Sequence, residues 1–119
     1  MSSRPLTDAA RGELRLWLAQ RASAAVLAAC VIVHLALIIY AVRSGLTAAA
    51  ILGRTQGSLI WLGFYLVFVA AVALHAPIGV RQIVREMTGW RGRSLDAAAA
   101  VFAAALALLG VRAVWGLFA

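Results

Sequence analysis

The sequence predicts an all-α membrane protein with three transmembrane helices arranged up and down. Of its 119 residues, 65% are hydrophobic and only 13% are charged, which leaves too little polar surface for a soluble domain of this size. Three long apolar stretches are each about the length needed to cross the hydrocarbon core of a bilayer. Arginines flank these stretches, as expected where a helix leaves the membrane.

The charge and the reactive residues exclude several classes of function. The formal net charge is +7, but the arginines form no continuous basic face, so we expect no nucleic-acid partner. A single cysteine allows no internal disulfide. No cluster of Cys, His and carboxylate residues has metal-ligand spacing. No nucleophile–base pair can be assembled in the membrane either, which excludes hydrolysis by this chain alone.

The N-terminal segment, residues 1–20, is amphipathic rather than apolar. Its apolar residues fall near one face of a helix, which predicts a short interfacial helix on the membrane surface, with Thr7 or Asp8 as its cap. A disordered tail up to about Gly12 is the alternative. The apolar run that follows is too long for the core of a signal peptide, so we expect a retained helix.

We predict a single membrane-anchor domain, residues 1–119, with crossings at about 22–42, 59–80 and 97–118. The second crossing extends to about residue 88 as it enters the headgroups. Pro77 lies within that crossing, where it removes one backbone hydrogen bond and favours a kink.

The distribution of arginine predicts the orientation. Four arginines precede the first crossing and four lie in the second loop, whereas the first loop carries only Arg43 and Arg54. The positive-inside rule therefore places the N-terminus in the cytoplasm and the C-terminus outside. We expect a multi-pass protein of a bacterial inner membrane, in contact with lipid.

Two histidines lie inside the predicted crossings, His34 in the first and His75 in the second. An ionisable side chain in the hydrocarbon region costs about 3 kcal/mol or more and by default marks a functional site. Gly79 follows His75 at i+4, and Gln82 and Glu86 continue the same helical face. A bare patch of backbone beside an imidazole suits a flat, bulky cofactor. A hydrogen bond across a helix interface is the alternative for each histidine.

The two histidines are expected at different depths. At 1.5 Å per residue, His75 lies roughly 9 Å from the cytoplasmic interface and His34 roughly 20 Å. Two axial ligands of one iron must approach the same point, so we infer that these two do not share a haem. Each would need a partner histidine from another chain.

A second polar group opens the first crossing, at Gln20, Arg21 and Ser23. Arg21 could pair with haem propionates and Ser23 could donate a hydrogen bond to a quinone carbonyl. On this motif alone, an arginine anchored at the headgroups and a serine bonded to its own helix is the favoured interpretation.

The motifs QRASA, which opens the first crossing, and HAPIGVRQIVRE, which closes the second, resemble those of the membrane-anchor cytochrome b subunits of succinate dehydrogenase and fumarate reductase. The resemblance implies that His75 is an axial ligand of haem b, with Gly79 beside it. It places Arg21 and Ser23 near the propionates and the quinone pocket, and Glu86 with them. Two-haem members of the family carry a deeper ligand on their first helix, as His34 would be.

The resemblance also implies a function and its partners. The chain would pass electrons between an iron–sulfur subunit and membrane quinone, while a flavoprotein subunit on the cytoplasmic side handles the substrate. A second anchor chain, identical or homologous, would complete the bundle and supply the missing ligand. Met87 departs from one branch of the family, in which a tyrosine contacts quinone. Arg81 lies off the His75 face, where we expect it to anchor at lipid phosphate.

Two other classes of function remain open. The chain could be a haem-free scaffold or assembly subunit. It could also be half of a small dimeric proton-coupled transporter, with the histidines as the proton-carrying groups. Against transport, the carboxylates lie at the ends of the crossings, and no helix is broken around a midplane site.

Overall fold

The computed structural model describes residues 4–5 and 7–119, and within them every regular element is an α-helix. Three of the four helices are long and apolar enough to cross a membrane, which confirms the predicted class. In chain order the helices are α1 (Asp8–Ser44), α2 (Ala48–Thr55), α3 (Leu59–Thr88) and α4 (Arg93–Phe118).

Helix α1 is longer than the first predicted crossing. It begins after Thr7, whose side chain accepts a hydrogen bond from the backbone N–H of Ala10 at 3.2 Å, as a cap does. A separate interfacial helix does not form over residues 8–20, because no proline or further glycine interrupts the run from Glu13 into the crossing. With 37 residues, α1 is about 56 Å long. That exceeds the hydrocarbon core, so its first turns extend into or beyond the headgroup region.

The short helix α2 occupies the loop between the first two crossings and holds the end of α4. The hydroxyl of Thr55 donates to the carbonyl of Leu117 at 2.9 Å. The Gln56 amide donates to the carbonyl of Ala119 at 2.7 Å. These bonds satisfy carbonyl groups at the C-terminus of α4 that have no partner within their own helix.

Helix α3 continues through Pro77 and ends at Gly89, whose φ of 73° is the left-handed conformation that favours glycine. The helix therefore reaches Thr88 without interruption. Helix α4 begins at Arg93, one turn before the predicted start at residue 97. Gly92 precedes it, and Asp96 in its first turn interacts favourably with the positive end of the helix dipole.

Helix α3 lies in the middle of the bundle and runs antiparallel to both of its neighbours, α1 and α4. Its contact with α4 is close at Gly110, where an added Cβ would lie 2.6 Å from a methyl group of Val69. Helices α1 and α4 make little direct contact with each other. The three crossings therefore form a layer about α3 rather than a closed bundle.

The two ends of this layer have different chemistry. We call the end where α1 and α4 begin and α3 finishes the basic end, and the other the α2 end. At the basic end, charged side chains of Glu13, Arg81 and Asp96 join all three helices. At the α2 end, neutral hydrogen bonds join α2 to the end of α4.

Candidate functional site

His75 lies on the basic-end half of α3 and is half-buried. Its Nδ1 atom is buried and has no hydrogen-bond partner among the residues that the structure describes. A buried polar atom without a partner costs about 1–3 kcal/mol. A hydrogen bond from Nδ1 across the helix interface, which was the alternative to ligation, is therefore not made within this part of the chain. The Nδ1 atom of His75 is therefore free to accept or donate a hydrogen bond, or to bind a metal, from outside the described residues.

Gly79, one turn beyond His75, faces α1. A Cβ added there would lie 3.2 Å from Nε2 of Gln20, which is tighter than an ordinary contact. The predicted bare patch is therefore covered by the end of the Gln20 side chain, because α1 packs on this face of α3. A flat cofactor beside His75 must approach another side of the ring or displace this carboxamide.

Gln20 belongs to the polar group that opens the first crossing, but the sequence assigned it no contact. Its Oε1 atom is buried and, like Nδ1 of His75, has no partner in the described part of the chain. It lines a groove of about 740 Å³ between α1 and α3, together with Trp17, Gly79 and Gln82. Further along the same face of α3, the Gln82 amide donates to the Glu86 carboxylate at 2.7 Å. The predicted polar face below His75 is thus present.

Arg21 and Ser23 are not brought to one surface. Ser23 is buried, and its hydroxyl donates to the carbonyl of Gln20 at 3.1 Å. Arg21 is exposed, with its guanidinium carbon 5.2 Å from the centre of the Trp17 ring. The serine therefore bonds to its own helix, as the favoured interpretation of the motif predicts, and would have to rotate to reach a ligand.

His34 lies nearer the α2 end, among aromatic side chains of α3. Its ring meets Tyr65 and Phe68 edge to face, with centroid distances of 6.0 and 5.5 Å. Its Nδ1 atom is also buried without a partner among the described residues. A cavity of about 480 Å³ adjoins it, lined almost entirely by apolar side chains of α3 and α4.

The contacts of His34 place the two histidines at different levels of the bundle. His75 follows Phe68 by seven residues and Tyr65 by ten, which corresponds to about 10–15 Å along α3. This separation agrees with the depth difference predicted from the sequence. The described residues also contain no cluster of three His, Cys, Asp or Glu side chains that could hold a metal ion.

The sequence led us to expect that Arg81 anchors at lipid phosphate. In the structure its guanidinium group is instead paired with carboxylates of α1 and α4. Its Nε donates to Asp96 at 2.8 Å, and its Nη2 lies 3.8 Å from Glu13. Arg85 lies 3.5 Å from the same Glu13 carboxylate. The up-down topology could have revealed this contact, since it brings the start of α1, the end of α3 and the start of α4 to the same end.

Comparison with known proteins gives one match. A family model described as succinate dehydrogenase/fumarate reductase transmembrane subunit matches residues 8–112. Searches of curated proteins and of solved structures found no significant match. The matched range contains both histidines, the Gln20–Ser23 group and all of α1, α2 and α3. The chain therefore belongs to the succinate dehydrogenase/fumarate reductase transmembrane subunit family, whose members anchor these complexes in the membrane.

Proposed function

We propose that the chain is a haem b-containing anchor that passes electrons between an iron–sulfur subunit and membrane quinone. Family membership supports the anchor role. The observation that carries the haem assignment is the buried, unpartnered Nδ1 of His75. A half-buried imidazole on a membrane helix, with no partner of its own in the described residues, suits a ligand to iron supplied between two chains.

In this proposal the haem at His75 is shared with a second anchor and lies on a side of the ring that the Gln20 carboxamide leaves open. His75 would bind the iron through one ring nitrogen, and its other ring nitrogen needs an acceptor such as a carbonyl or water. His34 lies about 10–15 Å away along the bundle axis, so a second histidine for the same iron would come from the second anchor. The haem supplies one-electron redox chemistry. Arg21 is exposed and would pair with the haem propionates.

The quinone pocket in this proposal lies at the basic end and is completed by partner subunits. Glu86 and Arg21 are exposed there, while Ser23 is buried in the contact of α1 with its neighbours. No single surface of this chain holds all three. Glu86 and Arg21 would therefore meet a quinone only where the iron–sulfur subunit or the second anchor covers them, and Ser23 would contribute after rotating from the Gln20 carbonyl.

The charge of the basic end also decides the orientation that we propose for the chain. The basic end carries the arginines up to Arg21 and those from Arg81 to Arg93, and the positive-inside rule assigns such an end to the cytoplasm. The iron–sulfur and flavoprotein subunits would dock there. The membrane would be a bacterial inner membrane, with α2 on its outer face.

A second haem at His34 is the second candidate, and it rests on a separate observation. His34 has the same unpartnered buried nitrogen as His75, and a cavity of about 480 Å³ adjoins its ring. A haem there would again need a ligand from a second anchor.

The test is haem quantification in the purified complex that contains this chain, together with a reduced-minus-oxidised visible spectrum. We expect a b-type signal that His75→Ala removes. His34→Ala is the matched control, since it removes the other intramembrane imidazole. A complex that retains all partner subunits but holds no haem would contradict the proposal and leave a scaffold. Proton-coupled uptake that His75→Ala abolishes would instead indicate a transporter.

A further inference from the structure

A groove at the basic end is separate from every residue assigned above to haem or quinone. It lies between α1 and α4, with α3 as its floor, and its volume is about 860 Å³. Leu74 and Ile78 form the floor, and alanines such as Ala19 on α1 and Ala103 on α4 form the walls. Because α1 and α4 make little direct contact, a molecule in this groove would bridge them.

The rim of the groove is charged, unlike its interior. Three arginines and two carboxylates line it, namely Arg15, Arg81, Arg85, Glu13 and Asp96. Both carboxylates are already paired, Asp96 with Arg81 at 2.8 Å and Glu13 with Arg85 at 3.5 Å. Arg15 makes no ion pair within the part of the chain that the structure describes. The rim therefore has one positive charge in excess.

The start of α4 lies beside this rim, where the Asp96 carboxylate already offsets part of the positive end of the helix dipole. Gly92 caps the helix without any side-chain hydrogen bond, so the first backbone N–H groups of α4 have no side-chain acceptor. Such N–H groups and the helix dipole attract anions. Asp96, in the same first turn, is held by Arg81.

The length of the groove indicates the kind of occupant. On α3 it extends from Ala73 to Arg85 and on α4 from Asp96 to Ala103, which at 1.5 Å per residue is about 10–18 Å. A partner's transmembrane helix that ran alongside α3 would need an apolar groove closer to the full hydrocarbon thickness of about 30 Å. One leaflet of lipid has about half that depth. A short groove with an apolar interior and a cationic rim fits one lipid molecule.

We propose that the groove binds an anionic phospholipid of the leaflet at the basic end. Its phosphate lies at Arg15, Arg85 and the start of α4, and an acyl chain lies over Leu74 and Ile78 between the alanine walls. Basic pockets between transmembrane helices bind anionic lipid headgroups in this way. The lipid bridges α1 and α4, which make little direct contact with each other, and its binding does not depend on haem at His75.

The experiment measures the unfolding midpoint of the purified, detergent-solubilised complex during titration with phosphatidylglycerol, phosphatidylcholine or inorganic phosphate. A ligand that binds only the folded state raises the midpoint in proportion to its occupancy. We expect phosphatidylglycerol to raise it and the other two to have little effect. The double variant Arg15→Gln/Arg85→Gln should raise the half-saturating lipid concentration at least fivefold. Arg43→Gln/Arg112→Gln, which removes the same charge outside the groove, should respond like wild type.

A second pair of variants leaves every charge in place. Ala100→Phe fills the groove, whereas Ala104→Phe adds the same side chain on the exposed surface of α4 outside it. We expect only Ala100→Phe to lose the phosphatidylglycerol response, with the haem spectrum unchanged in both. An equal response to phosphatidylcholine or to inorganic phosphate would overturn the proposal. So would a wild-type response of Ala100→Phe accompanied by loss of a partner subunit, which would show that the groove holds protein.

Discussion

The two intramembrane histidines share one feature and differ in everything around them. Each has a buried Nδ1 atom without a partner in the described chain. His34 is enclosed by Tyr65 and Phe68 of its own chain. His75 has no such aromatic neighbours among the described residues, and its face continues through Gly79 to the polar groups of Gln20 and Gln82.

The different surroundings of the two rings indicate how much of each site this chain supplies. His34 is packed by its own chain, so its ring is held whether or not anything binds. His75 lies where α1 meets α3 through a glycine and a flexible amide, so its surroundings depend on how closely those two helices approach. The predicted haem ligand thus lacks the aromatic contacts that hold His34, as expected of a site that a second chain completes.

The largest effect that separates the two regions should come from Gly79→Leu. The new side chain would meet the Gln20 amide, since even a Cβ lies 3.2 Å from it, and overpacking of this kind costs about 1–3 kcal/mol. We expect the haem content per copy to fall by more than half. Gly63→Leu is the matched control on the same helix, because a Cβ there meets nothing within 4 Å. Equal haem contents in the two variants would show that the approach of α1 does not matter to His75.

A smaller effect is expected from His34→Phe. The phenyl ring suits the edge-to-face contacts with Tyr65 and Phe68 and removes a buried unpartnered nitrogen. We therefore expect the free energy of unfolding to stay within about 1 kcal/mol of wild type or to rise. The His75-dependent part of the haem spectrum should persist. Complete loss of the b-type signal in this variant would reverse the roles assigned to the two histidines.

The sequence predicted the three crossings and the different levels of the two histidines, but not the contacts between helices. Composition and arginine positions were sufficient for three membrane helices, because burial in lipid requires long apolar runs. The Gly79–Gln20 contact was missed, because it depends on how α1 and α3 rotate about their axes. The amphipathic pattern of residues 8–20 is common to a surface helix and to the first turns of a longer one, so it did not predict the continuity of α1.

The smallest predicted effect concerns the α2 end, on the side of His34. Thr55→Val keeps the shape of the side chain but removes the hydroxyl that donates to the Leu117 carbonyl at 2.9 Å. A hydrogen bond of this kind contributes about 1 kcal/mol. We expect a fall of that size in the free energy of unfolding, measured with denaturant, and no change in the haem spectrum. Thr47→Val, which removes only the local cap of α2, is the comparison.

The measurement that tests the central claim most directly is the reduced-minus-oxidised spectrum of His75→Ala, recorded with and without added imidazole. If His75 binds the iron, the variant loses the b-type signal, and free imidazole occupying the vacated space restores part of it. His34→Ala treated in the same way should keep its His75-dependent signal without imidazole. A His75→Ala complex with the full wild-type spectrum would contradict the assignment of His75 as a haem ligand.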